Sequence, residues 1–330
     1  MSSTFGLSAS QQIKRAREYV PRWSSHSPDL FESKPLSGGL TNILSTVSLV
    51  RASPEAEEET AVLFRQNGQN TSLLINRKQE DKVIEFLSKV GLYPKVYAQL
   101  EWGSIQTYLA GYRALTPQEY RSAKFMSTIG SLLGQMHGRK GMLIEACVAP
   151  GEGSTLPNRL DTWMSLARSV SFPPSHRQHC LKLAALDLAA LQAEVAWLVN
   201  TALPRVKSKI VLAHCDLQPG NVMWNPETDM VKMIDLEYAD RMERGFDLGN
   251  CFCEMTLNYN VAGCPGFVLN PDYYPTDKDQ DLFLEAYCQG AGLDFALNRE
   301  QLKREAQTFA LAIWITRCNA CTNTGPRRRK

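Results

Sequence analysis

Three things are missing from this chain of 330 residues, and each closes off a class of function. Nowhere do eighteen apolar residues run together, so the sequence predicts no bilayer-spanning helix. Nine cysteines are present, yet the one C-x-x-C, Cys318 to Cys321, has no second pair to give a metal-binding repeat, and Cys251 and Cys253 lie only two apart. Thiols scattered in this way suit a reducing compartment and argue against a disulfide framework. A dominant charge is missing too: 36 basic side chains against 34 acidic ones leave +2, too little for a global field that would draw in nucleic acid. The N-terminus shows no unbroken apolar core behind a basic start, so no secretory leader is expected, and the cytoplasm is the expected compartment. What the chain does have is apolar mass. With 44% hydrophobic residues it can bury one large core or two modest ones.

The most informative stretch runs from Val211 to Asp247. Val211 to Ala213 and Val222 to Trp224 are short apolar runs on either side of the polar turn His214-Cys215-Asp216-Leu217-Gln218-Pro219-Gly220-Asn221, and a third run, Val231 to Ile234, ends in Asp235-Leu236-Glu237. This reads as a catalytic loop followed by a metal-binding strand end. Asp216 precedes Asn221 by five residues, the spacing of the H-R-D-x-x-x-x-N loop of kinases, and the second acidic cluster follows after a short hairpin. Phosphoryl transfer needs such parts. One carboxylate takes or orients the proton of an attacking hydroxyl, while an amide oxygen and further carboxylates hold magnesium, a hard cation that selects oxygen ligands. Asp216 suits the first role; Asn221, Asp235 and Glu237 suit the second. Either tripeptide alone would pass for an ordinary polar strand end. Two of them at kinase spacing, each closing an apolar run, point to the kinase reading.

The segments before this block fit it. Ile13, Ala16 and Val20 have helical spacing over 10–20, and Pro21 stops the helix. Leu36 to Asn42 holds a Gly38-Gly39 turn ahead of the strand 43–50; paired glycines let backbone N–H groups approach phosphates, although on the residues alone a plain hairpin is the favoured account. The acidic run 51–60 reads as a solvated hairpin tip. Ala61 to Arg65 reads as a strand and Arg77 to Val90 as a helix with Val83, Ile84, Leu87 and Val90 on one face. A strand cation followed about fifteen positions later by a helix acid is the layout of the phosphate-clamping ion pair in kinases, which singles out Arg65 and Glu80. The guanidinium fork matches phosphate oxygens. A hairpin about Glu101-Trp102-Gly103 comes next, with a boundary near Gly111. Beyond it, 117–137 reads as one helix whose His137 is a packed or capping side chain. The segments 161–169 and 181–203 read as further helices, with Leu181, Ala184, Leu188, Leu191, Val195 and Leu198 as a core stripe.

The motifs His214-x-Asp216-x-Gln218-x-Gly220-Asn221, Ile234-Asp235-x-Glu237-Tyr238 and Arg244-Gly245-Phe246-Asp247-x-Gly249-Asn250-x-Phe252-Cys253-Glu254 closely resemble those of the choline and ethanolamine kinase family. The resemblance runs from about Ser37 to Ala312. It implies a protein-kinase-like α+β fold in two lobes, a small β-rich nucleotide-binding lobe over 1–110 and a larger, mainly helical catalytic and acceptor lobe over 111–330. It also implies ATP and Mg2+ as cofactors, choline or ethanolamine as the amino-alcohol substrate, and the first step of phosphatidylcholine or phosphatidylethanolamine synthesis. By the same resemblance Gly38, Gly39, Thr41 and Asn42 cover ATP, Thr107 and Leu109 belong to the adenine-reading hinge, and Gln218 neighbours the transferred group. Tyr238, Glu254 and Tyr259 match acceptor-pocket positions, where aromatic faces and a carboxylate suit an ammonium group. Asp247 is expected to brace the catalytic loop. Family members form dimers, which extends the expectation to a homodimer.

Two departures keep alternatives open. Pro219 stands where the family often has Glu and where aminoglycoside phosphotransferases have Pro, which leaves another small hydroxyl acceptor in play. The family's two late tryptophans fall at Arg317 and Ala320, with Trp314 nearby, so the chain also reads as a nucleotide-binding relative with impaired catalysis. The basic end Arg327-Arg328-Arg329-Lys330 reads as an unstructured terminus.

Overall fold

A computed structural model describes residues 6–37, 42–50, 59–68, 76–138, 153–259, 261 and 266–323, with 315–323 described by backbone alone. Gly38, Gly39, Thr41 and residues 51–58 of the acidic tip lie outside the described residues. The chain divides into two compact units, Met1–Arg113 with Met223–Glu237, and Ala114–Val222 with Tyr238–Lys330. The division drawn from sequence is 1–110 against 111–330; here the first cut falls after Arg113, and one segment returns. A single cut cannot express a segment that returns, and Met223–Glu237 belongs with the first unit.

The first unit is built on a five-stranded antiparallel sheet of order β1-β2-β3-β5-β4, comprising β1 (Phe31–Leu36), β2 (Asn42–Leu49), β3 (Ala61–Asn67), β4 (Val96–Leu100) and β5 (Gly103–Thr107). Side chains alternate across a strand, so β3 sends Val62 and Phe64 to one face and Arg65 to the other. Val62 and Phe64 join Val47, Ile105, Phe31 and Trp23 in a core that Ala16 and Val20 complete. Helix α1 (Ala9–Tyr19) supplies Ala16; Ser8 caps it and Gln11 answers with a capping box, which explains its start just ahead of the apolar spacing. Helix α2 (Arg77–Lys89), capped by Asn76, buries Glu80 together with Val83, Ile84 and Leu87. Gly103 sets where β5 meets β3. Its φ is +144°, and a Cβ there would lie 1.9 Å from the Arg65 carbonyl oxygen, so the strand that carries Arg65 is paired by a residue that has to be glycine.

A two-residue strand, β6 (Arg113–Ala114), ends the run of strands that precedes the helices. The second unit is helical, and its sequence reading needs two corrections. The predicted helix 117–137 is two, α3 (Pro117–Tyr120), which a Thr116–Glu119 capping box starts, and α4 (Ala123–Gly138), which begins afresh where Ser122 Oγ accepts from Phe125 N–H at 3.5 Å. After α5 (Leu156–Ser169), the predicted 181–203 helix is also divided, into α6 (Arg177–Ala184), α7 (Leu188–Trp197), one π turn and α8 (Leu203–Val206). Asp187 caps Ala190 N–H and starts α7 afresh. The phase shift at this break undoes the expected stripe: Val195 and Leu198 are buried, whereas Leu181 is 61% exposed. Strand β7 (Ile210–Ala213) leads into the loop 214–221; β8 (Val222–Trp224) and β9 (Val231–Met233) follow it. β10 (Asp240–Glu243) pairs antiparallel with β7, setting Asp240 opposite Ala213.

Helices α9 (Arg244–Glu254), α10 (Asp277–Ala291) and α11 (Phe295–Asn323) complete the second unit. Helix α4 lies unusually close to α10, since a Cβ on Gly134 would stand 2.1 Å from the Tyr287 carbonyl oxygen. That approach brings His137 at the end of α4 to the Tyr287 side chain. Among the described residues no single helix is long and apolar enough to cross a membrane.

Candidate active site

In the second unit the loop after β7 is fastened at several points. Asp247, fully buried on α9, accepts hydrogen bonds from the backbone N–H of His214 (2.7 Å, Oδ2) and of Cys215 (2.8 Å, Oδ1). His137 Nε2 stands 3.1 Å from the same Oδ2, and its Nδ1 lies 3.1 Å from Tyr287 Oη. Burial alone would raise the Asp247 pKa, but the His137 hydrogen bond, the charges of His137 and His214 and the His214 amide outweigh it, and the carboxyl is held below its ordinary range. Farther along, Tyr120 Oη donates to the Leu217 carbonyl at 2.8 Å. Cys215 itself sits at φ +66°, a left-handed conformation that non-glycine residues adopt at a cost and that persists here because the surrounding bonds over-determine it.

These fastenings present Asp216. Asn221 Nδ2 donates to the Asp216 carbonyl (2.8 Å) and to its Oδ2 (3.1 Å), while Gln218 Nε2 stands 3.4 Å from the same Oδ2. Both amide protons of Asn221 are therefore used, and among the described residues its Oδ1 takes no hydrogen bond, which leaves an oxygen ligand on offer.

In the first unit Arg65 and Glu80 meet directly, Nη1 to Oε1 at 2.6 Å, with the guanidinium 10% and the carboxylate 1% exposed. Arg77 Nη1 holds the other oxygen of Glu80 at 2.8 Å. Arg65 Nη2 also reaches Asp235 Oδ1 at 3.1 Å and Glu237 Oε2 at 3.7 Å. Burial works against the Arg65 charge, but Glu80, Tyr93 and Asp235 hold it protonated, above the ordinary arginine range. Glu80, Asp235 and Glu237 bring carboxylate oxygens within 4.8 Å of one another. The two guanidiniums pair with both oxygens of Glu80, whereas among the described residues Asp235 Oδ2 makes no hydrogen bond. Asp235 turns the chain at φ +65°, a second left-handed non-glycine residue at an acid-bearing turn.

Asn42 opens β2 opposite Asn67. Thr107 ends β5, its N–H on the Lys95 carbonyl at 2.8 Å, and Leu109 is half-buried with its carbonyl accepting from Tyr112 N–H at 3.2 Å. Tyr238 is half-buried and its carbonyl takes Arg159 Nη1 at 3.0 Å, while Arg159 Nη2 binds Asp240 at 2.8 Å. Glu254 is 1% exposed, and the Tyr259 hydroxyl lies 3.3 Å from its Oε1. Trp314 packs against the core of the second unit; the side chains of Arg317 and Ala320 lie outside the described residues. Sequence reading passed over Tyr120, Tyr287, Arg159 and Arg77 and took His137 as packing. None of the five sits inside a motif, and the contacts that give Tyr120, Tyr287, His137 and Arg159 their roles are long-range. Arg77, three residues before Glu80, was the one detectable by spacing.

Comparison with known proteins adds an independent line. A model of the choline/ethanolamine kinase family matches residues 33–315. A probable ethanolamine kinase of Arabidopsis thaliana is 28% identical over 284 residues, covering 84% of this chain and 68% of that protein. A choline/ethanolamine kinase of Rattus norvegicus is 27% identical over 302 residues, covering 90% and 73%. The crystal structure of a choline kinase from Cryptosporidium parvum superposes with a TM-score of 0.75 at 21% identity, covering 94% of this chain and 91% of that one. The kinase-like α+β fold expected from sequence is the fold this neighbour shares.

Proposed function

The chain belongs to the choline/ethanolamine kinase family, and from that premise we propose that it transfers the γ-phosphoryl group of ATP to the hydroxyl of choline or ethanolamine. The observation that carries this reading is the loop on which Asn221 spends both amide protons on Asp216 and keeps its oxygen open, while Asp247 grips the backbone just upstream. Asp216 then orients the acceptor hydroxyl and takes its proton, the role a carboxylate performs in phosphoryl transfer. Gln218, beside Asp216 Oδ2, steadies that carboxylate as the proton moves. Arg65, pinned by Glu80, offers a planar fork to phosphate oxygens. Gly38, Gly39, Thr41 and Asn42 cover the nucleotide, and Thr107 and Leu109 supply hinge backbone to adenine.

Asn221, Asp235 and Glu237 each carry hard oxygen atoms of the kind magnesium takes. When bound, the ion would offset the charge on the phosphate oxygens. For the acceptor, the buried Glu254 carboxylate and the rings of Tyr238 and Tyr259 suit an ammonium group. The product would enter phospholipid synthesis as a phosphorylated amino alcohol.

The test is a coupled ADP-release assay on the full chain with choline, ethanolamine and an aminoglycoside. Turnover with an amino alcohol is expected. Turnover confined to the aminoglycoside, or absent with all three, would overturn the proposal.

A further inference from the structure

The second unit contains a cavity of about 620 Å³ that shares no residue with the site described above, walled by Arg205 and Lys207 at the end of α8, Arg244 at the start of α9, and Arg304, Glu305 and Thr308 on α11. We propose that it binds a small anion bearing phosphate groups.

The charge bookkeeping is unequal. Glu305 is the one carboxylate in the wall, and it is fully buried and fully spent. It accepts from Arg244 Nε and Nη2 (2.8 Å each), from Ser208 Oγ (2.7 Å) and from Gln301 Nε2 (3.0 Å). Four hydrogen bonds fill its acceptor sites and tie its charge to Arg244. That leaves Arg205, Lys207 and Arg304, none of which forms an ion pair among the described residues; Arg304 meets only the neutral Gln301 Oε1 at 3.0 Å. The Thr308 hydroxyl likewise has no hydrogen-bond partner there. Three uncompensated cations and a hydroxyl donor therefore share one concavity.

Cations at a helix C-terminus can serve the last carbonyls alone, and that would account for Arg205 and Lys207. It does not account for Arg304 and Thr308, which come from the body of α11. Guanidinium forks match phosphate geometry, and the cavity is of small-ligand size, well beyond a single phosphate. Both a soluble phosphate ester and a lipid phosphate headgroup offer this chemistry.

Titration calorimetry of the full chain with inorganic pyrophosphate, and co-sedimentation with phosphatidylcholine vesicles with and without phosphatidic acid, read the two sources separately. Saturable binding in either arm, weakened about tenfold or more by Arg205→Glu with Lys207→Glu, is the expected result, since each lost charge-assisted hydrogen bond accounts for about a tenfold change. Pyrophosphate binding assigns a soluble ligand; vesicle binding alone assigns a lipid headgroup. Arg304→Gln, on a different element, should weaken the same binding. All three side chains are exposed, and an unchanged far-ultraviolet spectrum confirms that the variants fold. No saturable binding in either arm, or binding that the double variant leaves unaltered, overturns the proposal.

Discussion

Asp247 offers the sharpest test of how the catalytic loop is held. Its two carboxylate oxygens accept from the backbone N–H groups of His214 and Cys215 and face His137. Asp247→Asn keeps the volume but turns one oxygen into a donor. The amide that leaves the fewest donors unmatched keeps its oxygen toward His214 and His137 and points NH2 at the Cys215 N–H. One buried backbone amide is then orphaned, at a cost of about 1–3 kcal/mol. Asp247→Ala orphans both amides, for about 2–6 kcal/mol. Because the loop presents Asp216, the loss should appear in turnover as well. A displacement of about 1 Å in a positioned group costs on the order of a hundredfold, so kcat for Asp247→Asn should fall by roughly ten- to a hundredfold, with KM for ATP little changed.

The pH dependence supplies an independent reading. The Asp247 carboxyl is held below its ordinary range. A group whose folded-state pKa is depressed contributes stability that is fully present above the unfolded value, about 4, and is lost as pH falls through the lower folded value. Urea denaturation of wild type and Asp247→Asn should therefore show a constant gap from neutral pH down to about 4, narrowing below it as the wild-type carboxyl protonates. A variant equal to wild type in both stability and kcat, or a gap that widens on acidification, would refute the reasoning.

Other perturbations test separate parts. Asp216→Asn should remove nearly all turnover while leaving ATP binding measurable by calorimetry; retained turnover would exclude Asp216 as the base. Arg65→Ala strands the buried Glu80 carboxylate beside Arg77 alone and should destabilise the chain by about 3–5 kcal/mol in chemical denaturation. Gly103→Ala sets a Cβ 1.9 Å from the Arg65 carbonyl, so it should lower Tm far more than an ordinary exposed alanine substitution. Removing divalent ions with EDTA should abolish turnover, and added magnesium should restore it; activity that persists in EDTA would count against Asn221, Asp235 and Glu237 as ligands.

The parts of this molecule that were legible in the sequence are those specified over short spans. Asp216 and Asn221 sit five residues apart in one loop, and the meeting of Arg65 with Glu80 follows from one strand, one helix and the alternation that turns Arg65 away from the Phe64 core. What was not legible depends on separations that no local pattern encodes. His137 and Asp247 are 110 residues apart, and Tyr287 is 150 from His137. They meet because Gly134 lets α4 press against α10, and a glycine within a helical run reads only as a weak helix former until its neighbour is known. Periodicity failed for a related reason at 181–203. Leucine spacing continued through a break that Asp187 capping creates, so the stripe lost phase and Leu181 came to the surface. The left-handed turns at Cys215 and Asp235 were invisible for the opposite reason: neither residue type announces the conformation, and only the contacts around it hold it there. Two such residues beside Asp216 and within the carboxylate cluster place backbone strain next to the proposed chemistry. A strained turn survives when its anchors outweigh it, which makes Asp247, Arg65 and their partners the residues on which the presentation of the acids depends.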